Sequence, residues 1–179
     1  MAELDISKIA GTMRVARLRV PGGFVIAALV LWLARPSWTS LAVGAAVAAL
    51  GATLRIWAAG HLEKATEVTS SGPYRLMRHP LYVGSAIVAL GIIIAAADGW
   101  VMVLVACYLG ITLTAAVRLE DAWLRARFGA RYENYAAGRG APSRRRFSAA
   151  RAWANGEHLA ILGLLAGLAI FALKAWLGI

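Results

Sequence analysis

The sequence is short of cysteine, of acid and of histidine. Its 179 residues hold one cysteine, nine acidic residues, three histidines and five prolines. A lone Cys107 excludes both a disulfide framework and a cysteine-based zinc site. His61, His79 and His158 are too few to supply a haem or a metal centre, so no metal is expected, and His61 and His158 read as interfacial residues. Charge is also sparse: 16% of residues are charged and 60% are hydrophobic, with a mean hydropathy of +0.66. Soluble domains run closer to about half apolar and a quarter charged, so an ordinary soluble globule and a disordered chain are both excluded. The net charge of +10 does not imply a nucleic-acid partner, because that needs a soluble basic face and here the basic residues fall between long apolar runs. Membrane lipids explain them better.

A hydrocarbon core about 30 Å thick takes roughly 20 apolar residues in a helix. Five stretches approach this length: 20–34, 38–59, 80–97, 100–117 and 158–177. Residues 24–34 behind a basic leader imitate a signal peptide, but no clean cleavage site follows, and the stretch reads as a span. Seventeen of the nineteen Lys and Arg residues lie before the first stretch, between the second and third with Arg55 in the flank of that loop, or between the fourth and fifth, whereas only Arg35 and Lys174 lie on the other side. The positive-inside rule then places the N-terminus in the cytoplasm and the C-terminus outside. The expected fold is all-α: a polytopic bundle of five transmembrane helices over 20–179, in a bacterial inner membrane if the Ala-, Arg- and Gly-rich usage reflects its source. Residues 1–19 put Ile6, Ile9, Met13 and Ala16 on one helical face opposite Lys8 and Arg14, as in an interfacial amphipathic helix.

Smaller features follow the same pattern. Trp38, Trp57, Trp100 and Trp176 fall near span ends, where indole rings prefer the interface. Gly44 with Ala48, and Gly163 with Gly167, are small-xxx-small pairs, read as close packing within one bundle in preference to dimerisation. Arg144-Arg145-Arg146 follows the loose stretch 138–142 and reads as a solvated segment touching anionic lipid heads.

Two polar segments are richer than passive connections require. In 70–84, Gly72-Pro73 marks a turn and Pro80 suits the first position of a helix flanked by His79. Amides at a helix start can bind an anion; Arg78 and His79 flank this one, Tyr82 lies in its first turn, and Gly84 removes bulk beyond it. In 118–135, the adjacent acids Glu120 and Asp121 are costly near lipid unless a cation meets them, and Arg118 and Arg125 are near enough in sequence to do so. Leu119, Trp123, Leu124, Phe128, Tyr132 and Tyr135 recur at helical spacing, which predicts one amphipathic helix lying on the bundle.

The string Gly-Pro-Tyr-Arg-x-x-Arg-His-Pro-x-Tyr-x-Gly at 72–84 resembles the signature of the isoprenylcysteine carboxyl methyltransferase family, which is related to the membrane phospholipid N-methyltransferases. The block from Glu120-Asp121 through Phe128-Gly129 to Tyr132 and Tyr135 is similar to that family's second motif, and Leu54-Arg55-x-Trp57-Ala58 to the end of its second span. The likeness covers about residues 50–140. It departs at Asp121, where the family usually has Glu, after Tyr135, where Arg139 and Pro142 stand nearest to an Arg-Val-Pro pattern, and in the added C-terminal helix over 157–178.

The resemblance implies a methyltransferase that uses S-adenosylmethionine, leaves S-adenosylhomocysteine, and takes a lipophilic acceptor from the bilayer at the cytoplasmic interface. It assigns His79, Pro80, Leu81, Tyr82, Glu120, Asp121, Tyr132 and Tyr135 to the cofactor, and Arg78, Glu120 and Arg139 to catalysis. A prenylcysteine-type carboxylate is ionised at neutral pH and needs only an arginine to orient it. An aminolipid must lose a proton, which requires a base such as His79 or one of the acids. A non-catalytic scaffold accounts for the spans but not for Arg78-His79-Pro80 beside Glu120-Asp121. Oligomeric state is left open.

Overall fold

A computed structural model of the protein describes residues 21–64, 66–140 and 143–179. The expected interfacial helix at 1–19, and Pro142, lie outside the described residues. Among those described, every regular element is helical: α1 (Pro21–Leu33), α2 (Trp38–His61), a 3-10 turn (Gly72–Arg75), α3 (Pro80–Ala96), α4 (Gly99–Phe128), α5 (Ala130–Ala136), α6 (Ala149–Ala154) and α7 (Glu157–Leu177). Five apolar helices coincide with the five expected stretches. Three of them, α2, α4 and α7, have the length and composition to cross a membrane, whereas α1 and α3 are apolar but shorter.

Local sequence sets each boundary. Ser37 opens α2 through a capping box, its hydroxyl accepting from Ser40 N while Ser40 accepts from Ser37 N, both at 3.0 Å. Pro80 starts α3, and Ala97 closes it in the left-handed region at φ 50°. Asp98 caps α4 by accepting from Trp100 N at 2.8 Å and Val101 N at 3.0 Å.

The single amphipathic helix expected across 118–135 is not found. α4 runs without interruption from the apolar stretch to Phe128, and the chain breaks at Gly129, where φ is +50° and a side chain would be strained. The separate short α5 that follows turns Tyr132 and Tyr135 back toward α4 and the 3-10 turn.

α2 and α3 pack backbone to backbone. A methyl group added at Gly44 would lie 2.4 Å from Gly91 O, and one at Gly51 would lie 2.7 Å from Gly84 O, so glycines facing each other let the helices touch. The small pair at Gly44 and Ala48 thus packs as expected. Gly163 and Gly167 do not: nothing lies within 4 Å of a side chain at either position. Buried Phe171 joins a core of Val30, Ala34, Ala95, Val101 and Val105, and Lys174 Nζ donates to the carbonyls of Leu31 and Trp32 at 3.0 Å.

These contacts sort the polar residues by bundle end. Arg35 N donates to Ala96 O at 2.8 Å, so Arg35, Asp98 and Lys174 share one end with exposed Trp32, Trp38, Trp100 and Trp176. The starts of α3 and α7 share the other end with the ends of α2 and α4. There the segment before α7 straps across the end of α2. Arg151 Nε donates to Glu63 at 2.8 Å, Arg145 pairs with Glu67 at 2.9 Å and Glu63 at 3.1 Å, and Asn155 Nδ2 donates to Ala59 O at 2.9 Å. Of the expected lipid-facing arginines, Arg144 and Arg146 are exposed, while Arg145 is drawn into the strap because two carboxylates meet it there.

Candidate active site

The site forms where α3 begins, α4 ends and α5 folds back. Asp121 is its hub. Its Oδ1 lies 3.0 Å from His79 Nε2 and accepts a short hydrogen bond from Tyr132 Oη, and its Oδ2 lies 3.8 Å from Arg78. Glu120 lies on the other side of the imidazole, 3.8 Å from His79 Nδ1. Tyr82 stacks on His79 with ring centroids 5.7 Å apart. Tyr135 Oη donates to Tyr74 O at 2.8 Å, which ties α5 to the 3-10 turn, and Tyr132 packs against it. The shorter Asp, where the resemblance led to Glu, reaches all three partners because α5 brings Tyr132 to it.

The expected backbone cradle is narrower than the sequence implies. Pro80 is fully buried and has no N–H, and the amides of Tyr82 and Val83 both donate to His79 O at 3.1 Å. Leu81 therefore carries the first-turn amide left for an anion. Beside the hub, a cleft of about 390 Å³ opens between the 3-10 turn and α5, lined by Ser70, Tyr74, Arg75, Arg78, Tyr135 and Gly138 among others, within the range of small-molecule sites, roughly 300–1,000 Å³. Arg139 is exposed and does not line this cleft.

Burial and charge act on the tyrosines. Burial is the main cause that raises the Tyr135 phenol, opposed by Arg78 and aided by Glu120, to about 12 in all. Tyr132 is raised by burial first and then by its bond to Asp121. Both phenols are held neutral in the fold, whereas an unfolded tyrosine ionises near pH ~10. Stability present below that pH is therefore lost as pH rises from there through the folded value of about 12 for Tyr135. An absorbance titration in detergent is expected to show the phenolate of Tyr135 only together with loss of helical circular dichroism, and Tyr135→Phe to move base unfolding to higher pH.

The His79 ring tests the fit to a cofactor. Its Nε2 is buried, and although it stands close to Asp121 no directed hydrogen bond satisfies it. A buried ring nitrogen without a directed partner, between two carboxylates and beside a cleft with arginines and tyrosines, suits a ligand with both cationic and polar groups. Among the described residues no group of three or more His, Cys, Asp or Glu is gathered as for a metal ion.

Sequence reasoning missed one contributor to the site and one ion pair near it. Tyr74 enters through its carbonyl, which no residue type announces. Glu157, taken only as part of the added helix, pairs with Arg55 across 102 positions; an acid at the edge of an apolar run was the signal, but nothing in spacing named its partner.

Comparison with known proteins gives the class. Residues 22–131 match the family described as phospholipid methyltransferase. The chain belongs to that family, whose match covers the first motif and the second as far as Gly129 but stops short of Tyr132 and Tyr135, and which is one of membrane methyltransferases generally dependent on S-adenosylmethionine; with three span-length apolar helices, it is an integral membrane protein. Among individual proteins it is similar to the cobalt-zinc-cadmium resistance protein CzcN of Cupriavidus metallidurans, 31% identical over 122 residues that make up 64% of this chain and 56% of the relative. The chain thus spans little more than half the length of that relative. No solved structure matches.

Proposed function

We propose that the protein transfers a methyl group from S-adenosylmethionine to an amphiphile at the cytoplasmic face of a bacterial inner membrane, with an isoprenylcysteine-type carboxylate as acceptor. The observation that carries this reading is the Asp121 hub, which gathers His79, Arg78 and Tyr132 from both motifs around one carboxylate. When bound, the cofactor supplies an electrophilic methyl on a sulphonium. His79, Tyr82, the Leu81 amide, Glu120 and Asp121 would hold it, the two carboxylates offering negative charge to its cationic groups. Tyr132 and Tyr135 close over it, and Pro80 shapes the turn. A carboxylate acceptor is already ionised at neutral pH, so its methylation would need no proton removed and no general base from this chain. Orientation of two reactants in this way is worth on the order of 7–11 kcal/mol. The shared bundle end of the site and of most basic residues supports the cytoplasmic placement.

The His79–Asp121 pair at 3.0 Å favours a second reading, a phospholipid-type amine acceptor whose proton the pair removes. A methyl-transfer assay from radiolabelled S-adenosylmethionine to N-acetyl-S-farnesylcysteine and to lysophosphatidylethanolamine tests both. Label is expected in the farnesylcysteine ester; label in the amine alone selects the second reading. Calorimetry with S-adenosylhomocysteine is expected to show micromolar binding that Glu120→Ala removes. Neither transfer nor binding by folded protein, in detergent and in nanodiscs, leaves a scaffold.

A further inference from the structure

Arg55 and Glu157 form a buried ion pair that the site above does not use. Arg55 lies two turns from the end of α2 and Glu157 opens α7. The guanidinium grips both carboxylate oxygens, Nε to Oε2 at 3.1 Å and Nη2 to Oε1 at 2.8 Å. Its Nη1 also donates to Ser85 Oγ, which donates in turn to Leu81 O at 2.8 Å. The side chains are only 23% and 7% exposed. Such a pair is costly to desolvate, and apolar packing anchors a helix at least as well; Phe171 does so at the far end of α7.

The pair is not sealed. It forms the polar end of a cavity of about 210 Å³ between α2, α3 and α7, whose other walls include Ala52, Val88, Ala160, Ile161 and Leu164. A charged end on an aliphatic groove has the complementarity of an anionic amphiphile. The cavity also lies one helical turn from the start of α3, where the candidate active site forms. Ser85 lies one turn beyond Leu81, and the phenol of Tyr74, raised mainly by burial, is raised further by Glu120 and by Glu157.

We propose that Arg55 binds the carboxylate of the acceptor amphiphile in the place that Glu157 occupies, while the acceptor's hydrocarbon chain lies in the α2–α3–α7 groove. Glu157 is a resident competitor that already shows how this site holds a carboxylate, and an arriving acceptor displaces it toward the interface. That the bound amphiphile is the methyl acceptor rests on the function proposed above; the binding itself does not. Because Glu157 lies beyond the residues matched by the family, the competition is an addition of this chain's last helix.

Competition makes the two partners of one ion pair act in opposite directions, which anchoring cannot do. Wild type, Glu157→Gln, Arg55→Ala and the double variant, each in detergent, are titrated with N-acetyl-S-farnesylcysteine, oleoyl lysophosphatidylethanolamine and uncharged monoolein by native mass spectrometry. S-adenosylhomocysteine binding is followed in parallel. Glu157→Gln is expected to tighten farnesylcysteine binding severalfold. Arg55→Ala is expected to weaken it by about tenfold or more, the scale of a charge-assisted hydrogen bond. Monoolein and S-adenosylhomocysteine are expected to bind all four alike. The double variant leaves no unpaired buried ion, so it reads the loss of Arg55 even where Arg55→Ala fails to fold. Equal losses in both single variants, or no change in either, overturn the proposal and leave the pair an anchor. Tighter Arg55-dependent binding of the phosphate lipid than of farnesylcysteine overturns the carboxylate assignment. Absent S-adenosylhomocysteine binding with these opposite shifts intact supports the amphiphile site and removes only the methyltransferase reading.

Discussion

Asp121→Ala is expected to abolish methyl transfer and weaken S-adenosylhomocysteine binding by roughly 10²–10³-fold, because it removes the one carboxylate that His79, Arg78 and Tyr132 share. Breaking a buried, partnered charge costs about 3–5 kcal/mol, and Asp121 is only 15% exposed, so little solvent screening intervenes. Asp121→Asn separates shape from charge. The amide oxygen still accepts from Tyr132, so α5 is expected to stay folded back, while the charge facing His79 and Arg78 is gone. Calorimetry should then show most of the binding loss in Asp121→Asn with near wild-type melting, and both losses in Asp121→Ala. Equal melting losses in the two variants with binding intact would make Asp121 a structural cap for α5 instead.

Much of this site was legible in sequence because its residues sit within two short, dense motifs. His79, Tyr82, Glu120 and Asp121 meet as expected, since a proline-started helix and a long helix ending in acids bring them to the same bundle end. What was not legible depends on where the chain turns. The periodicity of Leu119, Trp123, Phe128 and Tyr132 reads as one helix, and only the positive φ of Gly129 converts it into two that fold together. Arg139 follows the same turn but lands exposed at the rim, between Gly138 and Gly140, without lining the cleft itself. Likewise, the run at 144–146 shows one composition on the page but two environments in space. Arg145 faces Glu63 and Glu67 because the strap crosses the loop after α2, a tertiary event with no local signal.

The glycines of α2 and α3 carry the remaining large effect. Apolar matching alone cannot hold two helices together in lipid, since lipid tails are as apolar as leucine, and close backbone approach supplies the attraction instead. Gly91→Leu places a branched side chain where even a Cβ would lie 2.5 Å from Gly44 O and from Ala48 N. Ordinary overpacking costs about 1–3 kcal/mol because neighbouring side chains shift. Here the obstacles are backbone atoms of a facing helix, so the helices must part along their length, and the loss is expected to exceed that range. Parting them also moves Arg55 from Ser85 and the start of α3 from the end of α2, so binding and fold fail together. Gly163→Leu is the matched control: the same substitution on α7, with nothing within 4 Å, is expected to leave melting unchanged. Detergent-solubilised yield and thermal melting of the two variants decide the matter, and a Gly91→Leu protein as stable as Gly163→Leu would show that α2 and α3 are not held by their glycine seam.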